Sequence, residues 1–150
     1  VVAGMGGKNI VEILEKGLHQ ARSLRSLILQ PMRDGHYLRH WLAEQGFRLI
    51  DEQLVEEDGR IYELVVVGQG GSNWQVDDLA AQIDVPASLL LGLGPCLLRE
   101  RHPLLLPLLE GRKKEMLDVM EDLQAGDSER SRRRRQELSI QVDRLKKVME

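Results

Sequence analysis

The stretch V-V-A-G-M-G-G-K-N, residues 1–9, decides the fold. Val1-Val2-Ala3 is a continuous apolar run, the pattern of a parallel strand covered on both faces. Three glycines follow, and Ile10, Val11, Ile13 and Leu14 then mark a helical apolar face. Strand, glycine turn and helix make one unit of an open α/β sheet, and such sheets place ligands beyond the carboxyl ends of their strands. Two phosphate-binding loops fail on spacing. A Walker A loop needs Gly at position 2 and a hydroxyl at position 9, where the chain has Val2 and Asn9. The dinucleotide fingerprint begun at Gly4 and Gly6 needs Gly or Ala at position 9. The loop is therefore either a close-approach site without a phosphate motif or a tight turn with no ligand, and spacing favours neither.

Outward from this loop the pattern continues. Leu27-Ile28-Leu29 reads as a second buried strand closed by Gln30-Pro31, since proline cannot donate to a ladder. Tyr37, Leu38, Trp41 and Leu42 share a helical face, with Gly46 as its terminator. Residues 47–55 and 61–67 read as strands joined through Asp58-Gly59, a hairpin turn signal. Residues 68–75 read as a loop leaving the sheet, residues 77–83 as a short helix, and residues 88–100 as a helix interrupted at Gly92 and Gly94-Pro95. Leu109, Met116, Met120 and Leu123, then Leu138, Val142, Leu145 and Met149, give two amphipathic helices around a turn capped by Asp127 or Ser128. The expected fold class is α/β: the C-terminal half of a Rossmann-like sheet ending in a β-hairpin, followed by an antiparallel helical hairpin. The expected division is residues 1–71 for the sheet, 72–100 for connecting helices and 101–150 for the arm.

The 150 residues suit one domain with an appendage. Net charge is −3, unevenly placed: residues 1–100 carry 9 Lys+Arg against 14 Asp+Glu, and residues 101–150 carry 12 against 10. The single cysteine, Cys96, excludes an internal disulfide and a cysteine metal cluster, and its leucine neighbours suggest a small buried hydrophobe. The apolar run at residues 104–109 contains Pro107 and is too short to span a bilayer. No signal peptide is visible, so a cytoplasmic protein is expected. The chain opens inside a strand without an initiator Met, which suggests the C-terminal part of a longer protein.

The strongest charge feature is R-S-R-R-R-R, with Arg130, Arg132, Arg133, Arg134 and Arg135 near the start of the last helix. Clustered guanidiniums repel unless anions lie nearby, and a nucleic-acid backbone supplies them. The competing reading is a solvated face balanced by Glu115, Asp118, Glu121 and Asp122 across the hairpin. His36 and His40 have a metal-ligand spacing but no third ligand, so no metal is expected. The acidic residues Asp51, Glu52, Glu56, Glu57, Asp58 and Glu63 read as solvated hairpin side chains. No nucleophile elbow or Cys/His nucleophile arrangement is present.

In order along the chain, A-G-M-G-G, L-I-L-Q-P, L-R-H-W-L, D-E-x-L-V-E-E-D-G-R-I-Y-E and L-G-L-G-P-C-L-L-R-E-R resemble the bacterial tRNA adenine-22 N1-methyltransferase family. The resemblance spans residues 1 to about 125. It implies a class I fold, S-adenosylmethionine as methyl donor, tRNA as partner and a coiled-coil arm associated with that tRNA. Gly4, Met5, Gly6 and Gly7 would then follow the fourth strand of the fold and face the methyl group and target base. Met5 would pack against the base, and Gln30, beside Pro31 after the fifth strand, would hydrogen-bond it. The arginine run would grip the RNA. The family's donor-binding strands would precede Val1, so the chain alone is expected to be inactive and prone to self-association. The rival expectation is a non-catalytic RNA-binding or dimerisation module built on the helical hairpin.

Overall fold

The computed structural model describes residues 1–150 apart from Ser72 and Asp127. Strand β1 (Val2–Met5) leads into helices α1 (Gly7–Lys16) and α2 (Leu18–Ser23), and β2 (Ser26–Pro31) leads into α3 (Gly35–Glu44). Gly17 separates α1 from α2, a break that the apolar pattern alone did not indicate. Strands β3 (Arg48–Glu57) and β4 (Arg60–Gly68) form the hairpin. Its turn residues Asp58 and Gly59 have φ of 50° and 77°, the two positive values of a type I′ turn.

The sheet order is β1-β2-β4-β3. β1 and β2 are parallel, and β4 runs antiparallel to both of its neighbours. The hairpin therefore inserts its second strand between β2 and β3, giving the mixed Rossmann-like sheet expected from sequence. Helices α1 and α3 cover one face, where Ile10, Leu14, Leu38 and Leu42 pack over Leu29 and Val65. Ile13 departs from the expected stripe and is 45% exposed. Neighbouring strand residues point to opposite faces, and on the other face Ile28 and Ile50 stay 40% and 41% exposed.

The loop after β4 is stitched to the start of β3. Asn73 bonds both backbone groups of Leu49, accepting from its N–H at 2.7 Å and donating to its carbonyl at 2.8 Å. Trp74 is buried, and its Nε1 donates to the Phe47 carbonyl at 2.7 Å. Three short helices follow, α4 (Asp77–Ile83), α5 (Ala87–Leu93) and α6 (Pro95–Glu100), the last two divided at Gly94-Pro95.

Helices α7 (Leu105–Gln124) and α8 (Glu129–Met149) form the arm. Its base is set in a second core, where Leu105, Leu109 and Leu145 pack with Leu54, Leu90 and Leu97. Farther out, Met116, Met120 and Leu123 are half-buried along the seam with α8. Ser128 caps α8, its hydroxyl accepting from the Ser131 N–H at 3.1 Å; the alternative cap, Asp127, lies outside the described residues. Among the described residues no helix is long and apolar enough to cross a membrane.

Candidate functional site

The glycine loop sits at the carboxyl end of β1, as the βα pattern requires. Gly4 has φ +76°, and a Cβ built there would meet nothing within 4 Å, so this residue faces open space. The register of β1 against β2 shifts between Ala3 and Met5, which frees the Gly4 backbone from the ladder. Its N–H instead donates to the Gln30 side-chain oxygen at 2.9 Å. The Gln30 amide in turn donates to the Met32 sulfur at 3.1 Å. Gln30 thus holds the loop from the neighbouring strand, with its oxygen and its amide both engaged inside the chain.

Met5 is half-buried against the core edge, and its carbonyl accepts from the Met32 N–H at 2.9 Å. Gly6 caps α1 without a side chain, and a Cβ there would press on the Arg33 side chain. Gly7 has a different cause. Its N–H donates to the Arg33 carbonyl at 2.7 Å, and a Cβ would lie 2.2 Å from the Asp34 carbonyl oxygen. Glycine is needed there because two strand-end loops touch through their backbones. Gly4, Met5, Gly6, Gly7, Gln30 and Pro31 are therefore brought to one edge, Pro31 being buried.

Behind this edge lies a charge cluster that corrects one sequence expectation. Glu52 and Glu63, read as solvated hairpin residues, are 0% and 6% exposed. They hold Arg39, which is fully buried: its Nε donates to Glu52 Oε1 at 2.7 Å, and its Nη1 donates to Glu63 Oε1 and the Gly92 carbonyl, each at 3.1 Å. Arg112 of α7 also donates to Glu63 Oε1 at 3.1 Å. Glu52 Oε2 accepts from the Cys96 N–H at 2.8 Å at the start of α6. Two arginines and two glutamates thus tie α3, β3, β4, α5, α6 and α7 together. Burial opposes ionisation of Glu63, but the charges and hydrogen bonds of Arg39 and Arg112 outweigh it and hold its carboxyl below the ordinary range. Cys96 is half-buried, and burial with the nearby Glu52 charge pushes its thiol up to about 11.

Between the sheet edge and the arm runs a groove of about 920 Å³. Its lining includes Pro31, Met32, His36, His40, Arg60 and Tyr62 of the body, and Arg112, Glu115 and Arg144 of the arm. The His40 Nε2 donates to the Ser88 carbonyl at 3.0 Å. Partial burial lowers the pKa of His36; Asp34 opposes this and Arg112 reinforces it.

The arginine run lies elsewhere. Arg130 and Arg132 to Arg134 are exposed and Arg135 is half-buried, all in the first two turns of α8. These turns are at the tip of the arm, beside Leu123 of α7. The ion pairs found there run along α8 itself, Arg133 to Glu129 at 3.9 Å and Arg134 to Glu137 at 3.3 Å, rather than across the hairpin.

The family model for TrmK, tRNA (adenine(22)-N(1))-methyltransferase, matches residues 1–147. The tRNA (adenine(22)-N(1))-methyltransferase of Bacillus subtilis strain 168 is 33% identical over 150 residues, covering 99% of this chain and 60% of that protein. The crystal structure of the B. subtilis M1A22 tRNA methyltransferase TrmK matches with TM-score 0.78 at 32% identity, covering 99% of this chain and 61% of the other. The structure of Streptococcus pneumoniae Sp1610 in complex with S-adenosyl-L-methionine matches with TM-score 0.74 at 28% identity, over 100% of this chain and 61% of the other. The chain spans about 60% of the length of these relatives. On this likeness, which runs through the glycine loop, the hairpin and the arm, the chain belongs to the tRNA (adenine(22)-N(1))-methyltransferase family.

Proposed function

We propose that this chain forms the acceptor side of an S-adenosylmethionine-dependent enzyme that methylates N1 of adenine 22 in tRNA. The observation that carries this reading is the open glycine loop, held at the carboxyl end of β1 by Gln30, in a chain of this family. The residues present fit one end of the donor: the empty space at Gly4 lets a flat base and a methyl group lie against backbone. S-adenosylmethionine, when bound, supplies that methyl group as an electrophile.

The chain's own contribution is placement. Gly4 lets the acceptor ring approach the backbone, Gly6 makes room for the Arg33 side chain beside it, the half-exposed side of Met5 flanks the ring, and Gln30 positions the loop while Pro31 fixes the strand end. Holding the ring nitrogen in line with the transferred carbon is the source of most of the acceleration. The target base must leave its stack to reach this edge. A tRNA substrate fits a cytoplasmic location. The arginine run at the arm tip, Arg130 and Arg132 to Arg135, is read as a phosphate contact distant from the reacting base. Alone, the 150 residues are expected to give no turnover. The outer edge of β1, unpaired among the described residues, and the uncovered sheet face favour self-association of the isolated chain.

The test is methyl transfer to unmodified tRNA by the full-length enzyme, with modified nucleosides read by mass spectrometry. N1-methyladenosine at position 22 is expected from the unaltered enzyme. Gly4→Val is expected to lower kcat by about 100-fold while folding survives, since a side chain in the left-handed region costs about 1–2 kcal/mol. Absence of N1-methyladenosine from the unaltered enzyme would overturn the reading, and normal turnover by the variant would remove the loop from the site.

A further inference from the structure

We propose that the groove between the sheet edge and the arm is a separate RNA site, one that holds a single-stranded stretch by its phosphates and delivers it to the edge at Pro31. The proposal deepens the tRNA reading above and rests on it for the identity of the polymer. Four arginines converge on this groove from four places in the fold: Arg33 from the loop after β2, Arg60 from the start of β4, Arg112 from α7 and Arg144 from α8. Among the described residues Arg33, Arg60 and Arg144 have no carboxylate within ion-pair distance, and all three are exposed. Arg112 is steered into the groove wall by its bond to Glu63.

The carboxylates on the wall do not cancel these charges. Glu63 is already shared by Arg39 and Arg112, which leaves Asp34 and Glu115 against Arg33, Arg60 and Arg144. Tyr62 and His36 add flat side chains on which bases can stack, His36 as the neutral ring that its lowered pKa favours. Cationic walls with interleaved flat side chains are the device by which grooves track a single strand. An A-form duplex is instead met across its broad minor groove, by shape.

Continuity with the glycine loop gives the groove its direction. Arg33 and Met32 are among its lining residues, and their backbone groups are the ones bonded to Gly7 and Met5. A strand lying in the groove past Arg112 is thereby set beside the loop that carries the open space at Gly4. The arginine run at the arm tip lies outside this path, so the chain presents two RNA contacts.

The experiment measures binding of a fluorescently labelled, unstructured oligoribonucleotide and of a tRNA transcript to this chain by anisotropy across a salt series, without methyl donor. Arg60→Ser with Arg144→Ser is expected to weaken oligoribonucleotide binding at least tenfold. It should also lower the slope of log K against log salt by about 1–2, the loss expected for two phosphate contacts. Glu115→Arg is expected to tighten binding severalfold, which keeps the test decisive if the double variant fails to fold. Failure of the unaltered chain to bind the oligoribonucleotide, unchanged affinity in both variants, or a blunt duplex of the same length binding as tightly would overturn the proposal. Donor-free binding is separable from methyl transfer: a groove that fails while N1-methyladenosine forms leaves the enzyme reading intact, and the reverse outcome leaves the groove.

Discussion

Glu63 shows at the level of one side chain how the sequence conceals a functional element. Read by composition it is one of several acids around a hairpin turn. Read by alternation it shares the inward face of β4 with Val65 and Val67, and the period of two was the signal that it is buried. Glu52 shares the inward side of β3 with Leu54 in the same way, past the register shift between Leu49 and Asp51 that obscures the pattern. Arg39, flanked in α3 by Leu38, Trp41 and Leu42, offered no sign that partners 13 and 24 residues away would neutralise it. Such pairing is a tertiary fact. Its consequence for pH has a definite sign. The Glu63 carboxyl is held below its ordinary value of 4.5, so its contribution is present above that pH and is lost as pH falls through the lower folded value. Glu63→Gln is expected to remove about 3 kcal/mol at neutral pH, because Arg39 is left partly unpaired, and to flatten the acid limb. Denaturant melts of both proteins between neutral and acid pH check this; parallel curves would show that the fold does not shift the Glu63 titration.

At the level of elements, most of the architecture was legible: the βα units, the hairpin through Asp58-Gly59 and the arm follow from period and turn chemistry. The glycine loop was legible as a place but not as a set of roles. Gly4 faces open space, whereas Gly7 is dictated by the backbone of the next loop, a contact between residues 27 positions apart that spacing cannot reveal. The two glycines therefore answer to different substitutions. Gly7→Ala forces α1 away from the loop before α3 and is expected to cost about 1–3 kcal/mol, as overpacking does. Thermal denaturation checks it, and an unchanged melting temperature would mean the loops are free to separate. The groove escaped the sequence altogether, because Arg33, Arg60, Arg112 and Arg144 are dispersed along the chain and meet only through the fold.

For the whole molecule, charge placement distinguishes the arm tip from the body. Replacing Arg132 to Arg135 with Ser is expected to weaken tRNA binding and reduce its salt slope, each lost phosphate contact removing about one unit. It should leave binding of a short oligoribonucleotide to the groove nearly unchanged. A salt titration with both ligands checks this, and equal losses for both would place the two contacts on one surface. The arm's joint sets how finely such a distant contact can be placed. Helix α7 has 20 residues, about 30 Å at 1.5 Å per residue, with Leu105, Leu109 and Arg112 anchored at one end. From the Arg112 contact to Gln124 the helix runs about 18 Å, and over that length a tilt of about 5° moves the tip by roughly 1.6 Å, about half the length of one hydrogen bond. The arm is thus a lever, and the bond between Arg112 and Glu63 is a pin at its fulcrum. In the proposed function, stiffness there sets the tolerance with which a large folded RNA held at the arm tip would be indexed against a single reacting atom.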